Sequence, residues 1–259
     1  MSIFVFSVAR HSKLRTHIES EPMPIAHDSW ADVYDLAYEK TLGYFLDHLT
    51  ESTIEVVNRW QSTPAKIVDF GAGTGRLAIP LANSGYTVTA VDPSSKMLEA
   101  LKRKDGALHV KTVNSEMQNF VANDPYDMAL CVFTVIAYFA EREDLTRALS
   151  SAYASLKPGG FLLIDVPRRS LFQSQSPYNG ELKRTVHINQ IDEFCYDYSE
   201  EIERLGDEKK KYSDRFIIRY WPKDDIVNVL VNFGFTELTR SETLLSGIMS
   251  DYLLFQKHQ

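Results

Sequence analysis

The chain predicts an α/β fold, a doubly wound and mostly parallel sheet, on three observations. An apolar strand pattern runs straight into a glycine-rich turn and then a helix at Ile67 to Leu77. Strand and helix patterns alternate from residue 66 to 166, which requires right-handed βαβ crossovers. The pattern changes after Pro167, where alternating aromatic and charged residues replace continuous apolar runs.

Ahead of the glycine turn, residues 28–60 read as helix, with Val33, Leu36, Ala37, Leu42, Phe45, Leu46, Leu49, Ile54, Val57 and Trp60 at mixed three- and four-residue spacing. Pro64 closes that segment. Ile67-Val68-Asp69-Phe70 then ends a strand, and Gly71, Gly73 and Gly75 make the turn around Ala72 and Thr74. Glycine admits positive φ and lets a ligand approach the main-chain N–H groups. The helix start behind them, at Leu77, Ile79, Pro80 and Leu81, offers unpaired donors. This is a nucleotide-type loop at the carboxyl end of a strand, where open α/β sheets bind ligands; the plain alternative is a tight turn with no ligand. No Gly-Lys-Ser/Thr follows, which excludes a phosphate loop. The dinucleotide pattern G-x-G-x-x-G would need glycine where Arg76 stands.

Tyr86 to Val91 alternates as a second strand and ends at Asp92, about twenty positions beyond Gly71, where an acid is placed to accept ribose hydroxyls. Asp92 otherwise serves the following helix, whose N-cap is Ser94 or Ser95 after Pro93 and whose apolar face holds Met97, Leu98 and Leu101. His109 to Val113 is a third strand and leads to Glu116 and Met117. Tyr126 to Phe133 is a fourth, apolar enough to be covered on both faces. A helix from Arg142 to Leu156 stops at Lys157-Pro158-Gly159-Gly160, and Phe161 to Pro167 is the fifth strand.

The order of these motifs resembles the class I S-adenosylmethionine (SAM)-dependent methyltransferases, through Asp-x-Gly-x-Gly-x-Gly at 69–75, Asp92, Glu116-Met117 and Leu-x-Pro-Gly-Gly at 156–160. The resemblance spans about residues 30–167 and implies a Rossmann-like, seven-stranded sheet with a C-terminal antiparallel hairpin. It implies SAM as cofactor, held by Asp69, Gly71, Ala72, Gly73, Gly75, Asp92, Pro93 and Met97, with Glu116 accepting from the adenine amino group and Met117 covering the ring. Many relatives carry Asp in place of Glu116. The segment Ala31 to Tyr38 is similar to the N-terminal part of small-molecule methyltransferases, nucleotide-sugar N-methyltransferases among them, in which a tyrosine covers the SAM site; Tyr34 takes that position.

After Pro167, residues 168–180 read as loop, and Leu182 to Asn189, Asp192 to Glu203 and Lys210 to Trp221 as antiparallel strands, with a turn at Leu205-Gly206-Asp207. The charge run 207–211 is a solvated hairpin end. Pro222 to Phe233 is a helix with Asp224 and Asp225 at its positive end and Gly234 as its stop. Phe235 to Thr239 and Tyr252 to Gln256 are the last strands. The chain thus divides into an N-terminal arm (1–27), a SAM-binding core (28–167), an antiparallel insertion that is a substrate lid or a dimer contact (168–221), and the C-terminal part of the core (222–259).

At 259 residues and 44% hydrophobic content the chain can bury one large core. The formal charge is −7, with a basic stretch only at 10–17, which argues against tight nucleic-acid binding. No run approaches a membrane span, and Ile3 to Phe6 is too short for a signal-peptide core. The basic stretch reads as an arm in preference to a transit peptide. Cys131 and Cys195 make no disulfide framework, so a reducing cytoplasm is expected. No His/Cys/Asp cluster has metal spacing.

Methyl transfer needs alignment and water exclusion more than a catalytic triad, and no triad is visible. Candidate acceptor contacts are Tyr34, then the loop after the fourth strand with Phe133, Thr134 and Tyr138, where Phe133 is expected to pack against the cofactor, then Tyr178, His187, Tyr196 and Tyr198 in the insertion, with His187 as a candidate general base. The expectation is methyl transfer to nitrogen or oxygen of a small-molecule acceptor, with a homodimer possible. An RNA or protein methyltransferase, a non-catalytic SAM-binding scaffold, and a nicotinamide-dependent dehydrogenase opposed by Arg76 are the rivals.

Overall fold

Ile67, Val68 and Phe70 are completely buried, because the strand that carries them is covered by helices on both faces. The computed structural model describes residues 25–178, 180–205, 210–240 and 249–259. Most of the N-terminal arm, its basic stretch 10–17, and residues 206–209 of the hairpin turn and charge run lie outside the described residues.

A 3-10 segment, Asp28–Val33, leads into α1 (Tyr34–Trp60). The single helix expected over 28–60 is therefore divided, at Trp30 (φ −134°) and again at Gly43 (φ 34°, ψ −115°), where only glycine turns without strain. Strands and helices then alternate: β1 (Lys66–Phe70), α2 (Ala78–Asn83), β2 (Thr87–Asp92), α3 (Ser95–Lys102), β3 (Val110–Asn114), β4 (Tyr126–Cys131), α4 (Arg142–Ser155) and β5 (Leu156–Pro167). Ser94 is the N-cap of α3, its hydroxyl accepting from the Met97 N–H at 3.1 Å. β5 begins five residues before the expected start. Leu156 pairs with Tyr126, and a register shift between Tyr126 and Met128 absorbs the Pro-Gly-Gly turn.

Three further strands, β6 (Leu182–Gln190), β7 (Cys195–Arg204) and β8 (Lys211–Arg219), form a separate antiparallel sheet in the order β6-β7-β8. β7 starts three residues late because the Asp192 carboxylate accepts from the Phe194 and Cys195 N–H groups at 2.9 and 2.8 Å, closing an Asx turn. α5 (Lys223–Phe233) ends at Gly234 (φ 100°), and β9 (Phe235–Arg240) and β10 (Ser250–Lys257) complete the chain.

Among the described residues the main sheet has seven strands in the order β3-β2-β1-β4-β5-β10-β9. The first five are parallel, and β10 runs antiparallel to both β5 and β9. Alternate strand residues feed two cores. Ile67, Val88, Met128, Leu130 and Leu163 pack under α1, α2 and α3, while Val68, Phe70, Ala129, Cys131 and Ile164 pack under α4 and α5. Each fully buried Leu, Ile, Val or Phe adds about 1.5–3 kcal/mol. Cys131 is completely buried, and burial pushes its thiol well above the usual range. Strand order reverses between β1, whose crossovers lead toward β2 and β3, and β4 on its other side. The loops after β1 and β4 therefore diverge and leave a crevice at their carboxyl ends.

Candidate functional site

The crevice opens into a cavity of about 1040 Å³. Its floor is the glycine turn. The N–H groups of Gly71 and Ala72 both donate to the Val91 carbonyl, at 2.8 and 3.1 Å, and the Gly73 N–H donates to Asp92 Oδ2 at 2.8 Å. The ends of β1 and β2 are thereby locked together. Gly71 takes φ 68°, and a Cβ there would lie 2.5 Å from Val135 Cγ2, so this glycine serves both a left-handed turn and a close approach.

Asp92 also accepts from the Ser94 N–H through Oδ1, at 2.9 Å. It supports the start of α3 while Ser94 does the capping, and each of its oxygens keeps a lone pair. Burial pushes the Asp92 carboxyl up to about 6, against the two backbone N–H groups that favour its ionised form. Asp69 is pushed up to about 7, again by burial, with Arg76 opposing and Asp92 reinforcing the shift. Ala72, Gly73, Pro93 and Met97 line the cavity beside these acids, while Gly75 packs against Leu101 and Ile79 and is absent from the lining. Glu116 and Met117 line the far wall; Glu116 is exposed and accepts from Asn119 Nδ2 at 2.6 Å, and Met117 is buried.

The Arg76 guanidinium lies 5.0 Å from the centre of the Phe133 ring and donates to Thr50 Oγ1 at 3.0 Å, close to Asp69 and Asp165. Phe133 and Thr134 follow β4 with φ 71° and 68°, unusual values for residues with side chains. Thr134 holds that conformation because its N–H donates to both Asp165 oxygens, at 2.9 and 3.1 Å. Two consecutive left-handed residues at the mouth of a cavity are the kind of strain that clusters at functional sites.

Tyr34, Phe133 and Tyr138 all line the cavity. Tyr34 stacks on Trp30 at 5.2 Å and leans on Tyr38 at 4.5 Å. His187 stands apart. It is exposed in the middle of β6, outside the cavity lining, so its candidacy as a general base is corrected: strand alternation turns it to the solvent face while Arg184 and Val186 turn inward. Tyr178 is exposed, and Tyr196 and Tyr198 pack inside the small sheet, none of them on the cavity lining.

Several residues that the sequence reading passed over meet here. His27 is buried on the cavity lining, its backbone N–H donating to Asp214 Oδ2 at 2.5 Å and its Nε2 lying 2.8 Å from the Tyr138 hydroxyl. Arg184 and Glu200, buried on neighbouring strands, form an ion pair, and the Tyr198 hydroxyl donates to Glu200 Oε2 at 2.8 Å. No cluster of metal-ligating side chains occurs among the described residues.

Comparison with known proteins adds the family. The model of the methyltransferase domain matches residues 67–160, the span from β1 to the turn before the apolar part of β5. Residues 67–160 belong to the methyltransferase-domain family. This domain is 36% identical over 104 residues to a putative methyltransferase of Geobacillus sp., covering 39% of this chain and 42% of the relative. The match to a dTDP-3-amino-3,6-dideoxy-alpha-D-glucopyranose N,N-dimethyltransferase of Streptomyces fradiae is 27% over 139 residues, covering 52% of each chain. The chain thus spans about half the length of these curated relatives. Among solved structures, a SAM-dependent methyltransferase from Clostridium acetobutylicum superposes with TM-score 0.77 at 16% identity, over 88% of this chain and 99% of the other. The sugar N-methyltransferase KedS8 from Streptoalloteichus superposes with TM-score 0.72 at 18% identity, over 100% and 99%. At these identities the likeness establishes the fold.

Proposed function

We propose that the protein is a SAM-dependent methyltransferase that acts on nitrogen or oxygen of a small molecule. The observation that carries this reading is the cavity at the diverging ends of β1 and β4, floored by the glycine turn and flanked by a buried carboxylate with spare acceptor capacity. The residues fit the cofactor. Asp92 offers two lone pairs to ribose hydroxyls, Glu116 offers an acceptor to an adenine amino group, and Met117 an apolar face. Asp69 and the Gly71 to Gly73 backbone, which line the cavity, would hold the methionine end. When bound, SAM would supply a methyl group from a sulfonium cation, and the thioether that departs is neutral and needs no protonation.

The work left to this chain is alignment and exclusion of water. Tyr34 and Phe133 wall the cavity, and the small sheet contributes to its lining through the turn before β7 at Asp192, Cys195 of β7, and Phe216 and Arg219 of β8. Relatives and structural neighbours that carry sugar N-methyltransferase names support a small acceptor. The cavity lining has nine carboxylates against two guanidiniums, an unfavourable field for a polyanion, which supports a small molecule over RNA. Two free cysteines support a reducing compartment. The test is calorimetric binding of S-adenosylhomocysteine (SAH), followed by an acceptor screen with methyl-labelled SAM. Binding of SAH with labelled product from a small molecule is expected; absence of SAH binding would refute the reading.

A further inference from the structure

The Tyr138 hydroxyl and the His27 ring, both on the cavity lining, are followed by the Glu200 carboxylate buried behind them. The Tyr138 oxygen is 2.8 Å from His27 Nε2, and His27 Nδ1 is 3.6 Å from Glu200 Oε2. Nδ1 is buried and makes no hydrogen bond, so its orientation is set by the carboxylate it faces. Glu200 is 1% exposed and paired with Arg184, and Tyr198 donates to it at 2.8 Å. Oxygens that already take donors from Arg184 and Tyr198 act as acceptors, so the proton of neutral His27 belongs on Nδ1, which faces them, and Nε2 is left bare. Burial, aided by the charge of Arg184, pushes His27 down to about 3, so the ring is neutral at physiological pH. A bare Nε2 accepts a hydrogen bond from the Tyr138 hydroxyl. The Tyr138 oxygen then has two lone pairs. Thr134 engages one, and the other is available to the cavity that Tyr138 lines.

The surroundings select the partner. Tyr34, Tyr38 and Phe216 line the same cavity, and their rings present electron-rich faces. The acidic lining adds a field that concentrates cations and repels phosphates and carboxylates. An ammonium approaching such rings is attracted by their quadrupoles.

We propose that the acceptor is a primary or secondary amine without phosphate, whose N–H is held by the Tyr138 oxygen, and that His27, backed by Glu200, is the positioning residue that aims this oxygen. The proposal rests on the methyl-transfer reading and narrows it. The amine enters as ammonium and sheds one proton to solvent. Its nitrogen lone pair forms the new N–C bond, the C–S electron pair stays on sulfur, and the N–H proton then leaves by way of the cavity water. Tyr138 keeps its own proton throughout.

The experiment uses the full chain. Parent, His27→Phe, His27→Gln and Tyr138→Phe are compared by SAH calorimetry and by turnover of labelled SAM on a panel of amines, amino sugars, their phosphorylated counterparts, and phenols. If the parent does not bind SAH, the cofactor reading has failed and not this one. With SAH bound, turnover is expected on amines, with phosphorylated counterparts at least about tenfold poorer. His27→Phe and Tyr138→Phe should lower kcat/KM by about tenfold to a hundredfold, the range for one lost hydrogen bond to a reacting group, while the SAH Kd moves less than about twofold. His27→Gln keeps a carbonyl acceptor for the Tyr138 proton and should recover part of the loss, which a purely structural role would not predict. Should His27→Phe fail to fold, Tyr138→Phe carries the same readout, since it removes a single oxygen. Preferred turnover of a phenol or a phosphorylated acceptor would overturn the proposal, as would full activity of Tyr138→Phe. So would a parent that binds SAH yet shows neither turnover of any amine nor thermal stabilisation of the SAH-loaded protein by benzylamine or tetramethylammonium.

Discussion

Asp92 already accepts two backbone N–H groups, yet its remaining lone pairs point its chemistry toward hydroxyl donors. Asp92→Ala should weaken SAH binding by about tenfold to a hundredfold, since hydrogen bonds to a charged group are worth about 1.5–3 kcal/mol; calorimetry measures this directly. A pH dependence follows as well. Protonation turns one carboxylate oxygen from acceptor to donor, so affinity should fall as pH drops through about 6, the value to which burial raises this group. Titrations at pH 5 and pH 8 check it, and Asp92→Asn should bind weakly with a flattened pH response. Gly71 is the second residue with a quantifiable role. Gly71→Ala must adopt φ 68° and displace Val135, at about 1–2 kcal/mol for the backbone alone; a lower Tm together with weaker SAH binding is expected. Both positions were legible in the sequence, because the glycine turn and a strand-end acid are local patterns. His27 was not. Its role depends on Tyr138 and Glu200, more than a hundred residues away, and no local pattern distinguishes it.

Among the elements, the small sheet shows where reading a strand by its period succeeds and where it was left incomplete. Tyr196, Tyr198 and Ile202 mark the even-numbered positions of β7 as the inner face, and Leu182 and Val186 do the same for β6. That same period places Glu200 and Arg184 inside, with Asp214 beside Phe216 on β8. Charged residues at inward positions of paired strands were therefore a visible sign of a buried ion pair. Boundaries were less legible, since the Asx turn at Asp192 and the left-handed pair Phe133-Thr134 end or delay strands through contacts made only in three dimensions. Removing one member of the buried pair leaves a charge without its partner, at about 3–5 kcal/mol. Glu200→Gln should accordingly lower Tm by roughly 10 °C. The Arg184→Met/Glu200→Gln double variant should recover part of that loss, because no uncompensated charge remains. Thermal denaturation of the four proteins in the cycle measures the coupling.

At the scale of the whole molecule, the reversal of strand order between β1 and β4 explains why a cavity exists at all, and helices on both faces of the sheet make its floor rigid. That architecture was readable from the alternation of strands and helices and from family resemblance, and the antiparallel insertion was readable as a lid or a dimer contact, whereas which of its residues face the cavity depended on packing between segments distant in sequence. A ligand that fits this crevice binds the folded chain and not the unfolded one, so it must raise stability by mass action. At one hundred times its Kd the gain is about 2.7 kcal/mol, which for a chain of this size is a rise in Tm of roughly 5–10 °C. SAH should produce that shift. NAD and NADP should produce none, because the turn lacks the third glycine of the dinucleotide pattern and carries Arg76 there, with its guanidinium committed to Phe133 and Thr50 and so unavailable to a pyrophosphate. Differential scanning fluorimetry with the three ligands at matched concentration decides between them. A shift with NAD and none with SAH would assign the cavity to a different chemistry.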